Sequence, residues 1–211
     1  MVLKKRRRIN TLVTFKPSLG EIIQTTFWDF FIARKSLNYE KVSSLYSEGV
    51  NHTQSIEYQE LREIFKNYRI REGEVFVDIG CGAGRVISFW ILNHFGGELY
   101  GIEIDAEVAD YVKEWASKYA EIINDNVFNC LPNNASLLFM FNPFSRDDVF
   151  LNFISLIERE FKEIRIIYYH SKYVHLINDR ENWNYETRSI YSRSRRHMID
   201  CAYIHYKRLQ P

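Results

Sequence analysis

The sequence predicts an α/β fold with a mainly parallel sheet of about seven strands, helices on both faces and a C-terminal antiparallel hairpin. Short, almost wholly apolar segments alternate with helical segments along most of the chain, which is typical of parallel strands buried on both faces. A glycine-rich turn joins the first of these strands to its helix. Only a short polar turn separates the last two strand-like segments, which indicates a hairpin. Ligands of such sheets bind beyond the carboxyl ends of the strands.

The N-terminal part of the chain has a different pattern from the rest. It begins with the basic run Lys4–Arg8, and the aromatic residues of TTFWDFFIARKSL then recur at helical spacing. We therefore predict an accessory helical segment over residues 1–42 and a single α/β domain over residues 43–211. The basic run is interpreted as a solvated terminus, with a nucleic-acid contact as the alternative.

The predicted elements of the domain begin with a helix. Apolar residues recur at helical spacing in TQSIEYQELREIFKNYRI, and Thr53 or Ser55 is the expected N-cap. After a turn, apolar strands and helices alternate. The predicted strands are VFVDIG, ELYGIEI, EIINDN, ASLLFMFNPF and EIRIIYYHS.

The helices between these strands are recognised by apolar density, periodicity and caps. They are GRVISFWILNHF, DAEVADYVKEWASKYA and SRDDVFLNFISLIEREF, with Asp105 and Ser145 as the caps of the last two. Two final strands enclose a basic turn that contains Arg193, Arg195 and Arg196. This turn is interpreted as a solvated tip, with a contact to phosphate, carboxylate or an RNA backbone as the alternative.

Composition and charge narrow the classes of partner. The formal net charge of +1 creates no field that favours nucleic acid or an anionic membrane. The three cysteines lack the paired spacing of zinc or redox sites, so we expect reduced thiols, no metal and a cytoplasmic protein. Charges interrupt the apolar runs before the roughly 20 residues that a bilayer span needs, so no membrane partner is expected.

The segment DIGCGAGR lies where the first apolar strand turns into its helix. Small residues let the backbone approach a ligand there, and the amides at the helix start favour its polar or negative end. The glycines alternate at positions 80, 82 and 84, which differs from the G-x-G-x-x-G spacing of a dinucleotide site. Asp78, before the glycines, suits an amine-bearing ligand better than a pyrophosphate.

These residues resemble a known motif. VFVDIGCGAGRV is closely similar to motif I of the class I S-adenosylmethionine-dependent methyltransferases, which have a Rossmann-like fold. The resemblance extends from about residue 43 to the end of the chain. It implies methyl transfer as the activity and S-adenosyl-L-methionine as the cofactor.

The same resemblance implies roles for residues after the next two strands. In the family, an acidic residue after the second strand holds the ribose and one after the third lies near the adenine, which correspond to Glu103 and Asp125. The implied cofactor-binding residues are Asp78, Gly80, Cys81, Gly82, Gly84, Glu103, Ile104, Asp125, Asn126 and Asn142.

The fourth strand ends in FMFNPFS, which is similar to motif IV of the family, beside the transferable methyl group. Asn142 is expected to orient the nucleophile and Phe144 to stack on the substrate. Alternatively, Pro143 only stops the strand and Phe144 packs in the core. FNPF resembles uncharacterised bacterial methyltransferase-like proteins associated with small molecules or glycans. The N/D/S-P-P-Y/F motif of amino-directed methyltransferases is matched in part, because only one proline is present.

Two further residues complete the expected site. His170 ends the strand EIRIIYYHS at the ligand-binding edge and is the candidate general base, although a lone histidine there is commonly structural. Tyr46 lies in a segment that commonly closes over the cofactor in the family and is a candidate substrate contact.

The expected function is transfer of a methyl group to oxygen or nitrogen of a small-molecule or glycan acceptor. One alternative is an RNA- or protein-directed methyltransferase, motivated by the basic runs and the NPF triplet. Another is a non-catalytic cofactor-binding scaffold, because a fold does not determine a function.

Overall fold

The computed structural model describes residues 19–66 and 68–209, so the prediction for Lys4–Arg8 lies outside the described residues. The strands are β1 (Glu40–Lys41), β2 (Thr53–Gln54), β3 (Val75–Ile79), β4 (Glu98–Ile102), β5 (Glu121–Ile123), β6 (Leu137–Phe141), β7 (Glu163–Tyr169), β8 (Trp183–Ser192) and β9 (His197–Lys207). The helices are α1 (Leu19–Ala33), α2 (Tyr58–Phe65), α3 (Arg85–Leu92), α4 (Ala106–Ala116), α5 (Val127–Cys130) and α6 (Asp147–Glu160).

The central sheet has the strand order β5-β4-β3-β6-β7-β9-β8. β3 pairs in parallel with β4 and β6, while β5 and β7 extend the parallel part on either side. β9 pairs antiparallel with β7 and β8, so the predicted C-terminal hairpin is present. The predicted fold class is confirmed. The chain order reverses at β3, which is where open α/β sheets form a ligand crevice.

The apolar strands separate two layers of core. Phe76 of β3 and Phe139 of β6 pack on the side of α2 and α3, whereas Val77 and Leu138 pack on the side of α6. All four side chains are completely buried. Burial on both faces explains why these strands are continuously apolar in sequence.

The predicted start of the first domain helix at Thr53 or Ser55 is wrong. α2 begins at Tyr58, and its N-cap Glu57 forms a capping box with Glu60. Thr53 instead lies in the antiparallel ribbon of β1 and β2, and the Ser55 hydroxyl bonds to the loop before that ribbon. Long-range pairing therefore overrides the local capping preference.

The predicted opening of α6 at Ser145 is also wrong. The Ser145 amide donates to the Gly49 carbonyl at 2.8 Å, and its hydroxyl donates to the Tyr46 carbonyl at 2.9 Å. α6 begins at Asp147 as a consequence. The predicted cap Asp105 is confirmed, because its carboxylate accepts two backbone amides at the start of α4.

A buried ion pair joins α1 to α3. Asp29 Oδ2 and Arg85 Nη2 are 3.0 Å apart, and both side chains are almost fully buried. The β1–β2 ribbon also pairs residues on both sides of position 42. The division into residues 1–42 and 43–211 stays a prediction. Among the described residues, no helix is long and apolar enough to cross a membrane.

Candidate functional site

A cavity of about 670 Å³ lies at the carboxyl ends of β3, β4 and β6. The loops after these strands form one wall, and residues 40–56, which we call the strap, form much of the opposite wall. The strap is held at both ends of the cavity. Lys41 forms an ion pair with Asp105 at 2.8 Å, and the Asn51 amide donates to the Pro143 carbonyl at 2.8 Å.

The turn between β3 and α3 is built from glycines in left-handed backbone conformations. Gly80, Gly82 and Gly84 have φ values of +71°, +53° and +87°. The amides of Gly80 and Cys81 donate to the Ile102 carbonyl at 2.8 and 3.0 Å, which fixes the turn against β4. Gly80, Cys81 and Gly82 line the cavity.

Gly84 has a packing role that its place in the motif did not predict. It is absent from the cavity lining. A β-carbon at this position would lie 2.6 Å from side-chain atoms of both Trp115 and Val112. Its missing side chain therefore lets α3 approach α4 closely.

Two buried carboxylates, Asp78 and Glu103, line the cavity. The oxygens of Glu103 accept the amides of Gly82 and Asp105, both at 3.0 Å. Burial raises the pKa of Glu103, although these two amides favour its ionised form. Glu103 is thus fixed in orientation by the glycine turn and by the start of α4.

Asp78 differs from Glu103 because its Oδ2 has no hydrogen-bond partner among the described residues. Burial raises the pKa of Asp78 well above its ordinary value, and the nearby carboxylate of Glu103 raises it further. A buried carboxylate without donors is unfavourable in its ionised form. The position therefore suits a ligand that brings N–H donors or positive charge.

Ile104, Asp125 and Asn126 line another part of the cavity. The Asn126 side chain caps α5, a helix that the sequence did not predict, by accepting the Phe128 amide at 3.2 Å. The Asp125 carboxylate accepts the Asn126 amide at 2.6 Å. Both side chains thus already make local bonds that shape the turn after β5.

Asn142 and His170 directly follow the neighbouring strands β6 and β7, and both line the cavity. Each has a positive φ, +41° for Asn142 and +55° for His170. Partial burial lowers the pKa of His170, and electrostatic interactions with Arg195, His197 and Lys172 lower it further against the opposing effect of Asp200. Near neutral pH the imidazole is therefore uncharged and able to accept a proton.

The two predicted substrate contacts lie in different surroundings. Phe144 lines the cavity but is only 5% exposed, and its nearest ring, Phe153, lies 5.3 Å away in the core. Tyr46 is absent from the cavity lining and 49% exposed, and its ring stacks on His52 at 4.7 Å. His52, rather than Tyr46, faces the cavity.

The basic turn between β8 and β9 departs from the expected solvated tip at Arg195. Its guanidinium lies 3.0 Å from the buried carboxylate of Glu60 and 5.2 Å from the ring centre of Phe141. Phe141 lines the cavity. Arg195 therefore supports the wall beside His170, with its charge balanced by Glu60.

Sequence reasoning missed three contributors to the site. Arg85 lines the cavity and is held by Asp29 of α1, while Asn51 binds the loop after β6. A lone charge in the apolar stretch FWDFF was a signal for a buried partner of Asp29. Nothing in the local pattern marked Asn51. Among the described residues, no cluster of three or more His, Cys, Asp or Glu side chains is placed to hold a metal ion.

No protein-family model and no curated protein matches the chain. A solved methyltransferase from Pyrococcus furiosus is 12% identical, with a TM-score of 0.59, over 90% of this chain and 98% of that chain. An RNA methyltransferase from Salinibacter ruber, in complex with S-adenosyl-L-homocysteine, is 14% identical, with a TM-score of 0.55, over 75% and 97%.

A third similar structure is the plantazolicin methyltransferase BpumL, in complex with a triazolic desmethylPZN analogue and S-adenosyl-L-homocysteine. It is 12% identical, with a TM-score of 0.51, over 72% of this chain and 83% of that chain. At such identities the likeness concerns the fold. This chain therefore has the Rossmann-like fold found in S-adenosylmethionine-dependent methyltransferases.

Proposed function

We propose that this chain is an S-adenosylmethionine-dependent methyltransferase with a small-molecule or glycan acceptor. The observation that carries the proposal is Asp78, a buried carboxylate in the cavity wall whose Oδ2 lacks a donor among the described residues. The ammonium group of a methionine moiety supplies both N–H donors and a positive charge. Binding it would offset the burial that raises the pKa of Asp78.

The other walls of the cavity fit the remainder of this cofactor. Glu103 is held by two amides and retains lone pairs for ribose hydroxyl groups. The turn at Gly80 to Gly82 brings backbone rather than side chains to the cavity. Ile104, Asp125 and Asn126 are the proposed contacts of the base. Two of the structural neighbours described above were solved with S-adenosyl-L-homocysteine.

The bound cofactor supplies a methyl group already activated by its sulfonium. The residues of the chain then have to bind, orient and exclude water. The strap covers one side of the cavity, and Asn142 and His170 are the proposed catalytic residues. The free cysteines of the described chain accord with a reducing compartment, and we propose a cytoplasmic location.

RNA is the second candidate acceptor, favoured by the Salinibacter ruber neighbour and by the run Lys4–Arg8. The ion pair with buried Glu60 already balances the charge of Arg195, so this residue of the hairpin turn is a poor candidate for an RNA contact. RNA binding would weaken steeply with added salt, whereas a small uncharged acceptor would show little dependence on salt.

Calorimetric titration with S-adenosylmethionine, S-adenosylhomocysteine and NAD tests the proposal. We expect saturable binding of the two sulfur compounds and no binding of NAD. Asp78→Asn should weaken S-adenosylhomocysteine binding about 10- to 100-fold, through loss of a charged hydrogen bond. Asp110→Asn, an exposed substitution on α4, is the matched control and should bind as the unmodified protein does. A folded protein that binds neither sulfur compound would contradict the proposal.

A further inference from the structure

The ends of β6 and β7 bring two chemically different side chains together. The strands run in parallel with Phe141 paired to Tyr169, so Asn142 and His170 are the next residues in the same register. Neighbouring strands lie about 4.8 Å apart, so the two residues are adjacent on the edge that bounds the cavity. Both residues line the cavity.

A hydrogen bond from Tyr168 sets the orientation of the Asn142 side-chain amide. The Tyr168 side chain is completely buried, and its hydroxyl lies within hydrogen-bond distance of the Asn142 side chain. That hydroxyl donates to Asn142 Oδ1 at 3.0 Å. The side-chain oxygen of Asn142 thus faces Tyr168. The Nδ2 group, a donor, is left without a partner among the described residues and is free to serve the cavity.

The backbone acceptors of the same loop are covered by the strap. Asn51 Nδ2 donates to the Asn142 carbonyl at 2.9 Å, and the Asn51 amide donates to the Pro143 carbonyl at 2.8 Å. An amino group positioned by this loop would need such carbonyl acceptors for its N–H groups. Here one strap residue already bonds to both carbonyls.

We propose that the atom methylated at this site is a hydroxyl oxygen, positioned between the Asn142 amide nitrogen and the His170 imidazole. The inference rests on the proposed methyl transfer and names the class of acceptor. A hydroxyl group has one proton to donate to His170 and two lone pairs. One lone pair accepts the Asn142 N–H, and the other remains available for attack.

An amine does not fit the same pair of groups. A neutral amine has a single lone pair, and accepting the Asn142 N–H would use the electrons that must attack the methyl carbon. A carboxylate does not fit either, since it has no proton for His170 to remove. The combination of one donor and one base therefore selects a hydroxyl.

The proposed methyl donor carries the transferred carbon on a sulfonium sulfur. The hydroxyl oxygen forms a bond to the methyl carbon as the carbon–sulfur bond breaks, and the electron pair of that bond stays on sulfur. The hydroxyl proton passes to the His170 imidazole and then to solvent. Partial burial and, to a smaller extent, the electrostatic effect of Arg195, His197 and Lys172 lower the pKa of His170 against the opposing effect of Asp200, so the resting imidazole is neutral and can take the proton.

The test uses an extract from cells lacking this gene, in which the acceptor is not methylated by this protein. The extract is incubated with the purified protein and S-adenosylmethionine carrying a radioactive methyl group. Hydriodic acid releases methyl groups on oxygen as volatile methyl iodide, and mild alkali releases methyl esters. We expect label that is volatile after hydriodic acid and stable to alkali.

Label retained after hydriodic acid would place the methyl group on nitrogen or carbon and overturn the inference. Label released by alkali would indicate a carboxylate and overturn it as well. An unlabelled extract, from protein that binds S-adenosylhomocysteine, would also count against it. Failure to bind that compound would instead remove the proposed function itself.

Histidine variants test the position of the base. His170→Gln should lower kcat at least about 100-fold at unchanged S-adenosylhomocysteine affinity, which a merely structural role would not achieve. His175→Gln, an exposed substitution outside the cavity, is the matched control. The kcat of the unmodified protein should rise with pH through the pKa of His170, below its ordinary value. Equal kcat values for both variants would exclude His170 as the base.

Discussion

Strand β3 has a buried carboxylate at each end, and the two have opposite surroundings. Glu74, directly before the strand, is 1% exposed, and Asp78, the next-to-last residue of the strand, is 2% exposed. The Glu74 carboxylate accepts hydrogen bonds from the Arg71 backbone amide and the Ser136 hydroxyl, and it forms an ion pair with Arg165. Asp78 Oδ2 has no such partner among the described residues.

The comparison separates a carboxylate that supports the fold from one that is available to a ligand. At the amino end of β3, the protein itself satisfies the charge. At the carboxyl end, where parallel sheets bind ligands, Asp78 Oδ2 has no corresponding partner among the described residues, which supports the proposed ligand contact. Burial alone therefore does not distinguish a functional carboxylate, whereas burial together with missing donors does.

The largest expected change in stability comes from removing the ion-pair partner of Glu74 at the amino end of β3. Arg165→Met leaves Glu74 buried without its ion pair and should lower the free energy of unfolding by about 3–5 kcal/mol. Urea denaturation measures this loss in the free energy of unfolding. Arg159→Met, which removes an exposed ion pair on α6, should cost less than about 1 kcal/mol. A similar small loss for both variants would show that Glu74 does not need Arg165.

Alanine substitutions at the glycines on either side of β3 should give the next largest loss of stability. Gly84→Ala, at the carboxyl end, adds a β-carbon 2.6 Å from Trp115 and Val112 at φ +87° and should cost about 3 kcal/mol. Gly73→Ala, at the amino end, has φ +69°, but its added β-carbon would have no atom of a described residue within 4 Å, so a loss of about 1 kcal/mol is expected. Thermal and urea unfolding of both variants provide the measurement. Equal losses would mean that backbone strain alone matters at Gly84.

A smaller change, an increase in stability, is expected at Asp78, near the carboxyl end of β3. Asp78→Asn removes a buried carboxylate whose Oδ2 lacks a donor among the described residues, so ligand-free stability should increase by about 1 kcal/mol. The same variant should bind S-adenosylhomocysteine more weakly, as described above. Urea denaturation without ligand measures the gain. A clear loss of stability would indicate that Asp78 supports the fold as Glu74 does.

The pH dependence of ligand-free stability gives the finest comparison. The folded pKa of Asp78 lies above the unfolded value of about 3.9, so the folded state holds the proton more tightly between these values. The contribution of Asp78 to stability should therefore decline as pH rises from about 4 through its folded pKa. The difference between the unmodified protein and Asp78→Asn isolates this slope from that of Glu103. Parallel curves would contradict the raised pKa.

Local sequence was sufficient for the sheet and for part of the candidate site. Apolar strands such as VFVDI and LLFMF are buried on both faces, so their composition alone indicated parallel strands. Asp78 lies near the end of β3, Gly80 follows β3 and Glu103 follows β4, and the topology brings all three to one cavity. Asp105 was recognisable because a helix cap depends on neighbouring residues only.

Features that depend on distant residues escaped prediction. Ser145 is drawn away from α6 by the strap, and Thr53 is drawn into the β1–β2 ribbon. Asp29 and Arg85 meet across 56 positions of sequence. A local pattern carries no signal for such contacts, because each residue's preference is overridden by a partner far along the chain.

The sequence by itself determined the strands of the central sheet, the longer helices between them, the glycine turn and the acidic residues at the strand ends. These features depend on side-chain polarity and backbone freedom over a few neighbouring positions. Only the tertiary structure decided that Gly84 serves packing, that the strap covers the Asn142 and Pro143 carbonyls, and that Asp78 Oδ2 has no donor among the described residues where Glu74 has several. Those outcomes depend on which distant groups meet in a water-poor interior, where an unpaired charge or a misplaced methyl group carries a large free-energy cost.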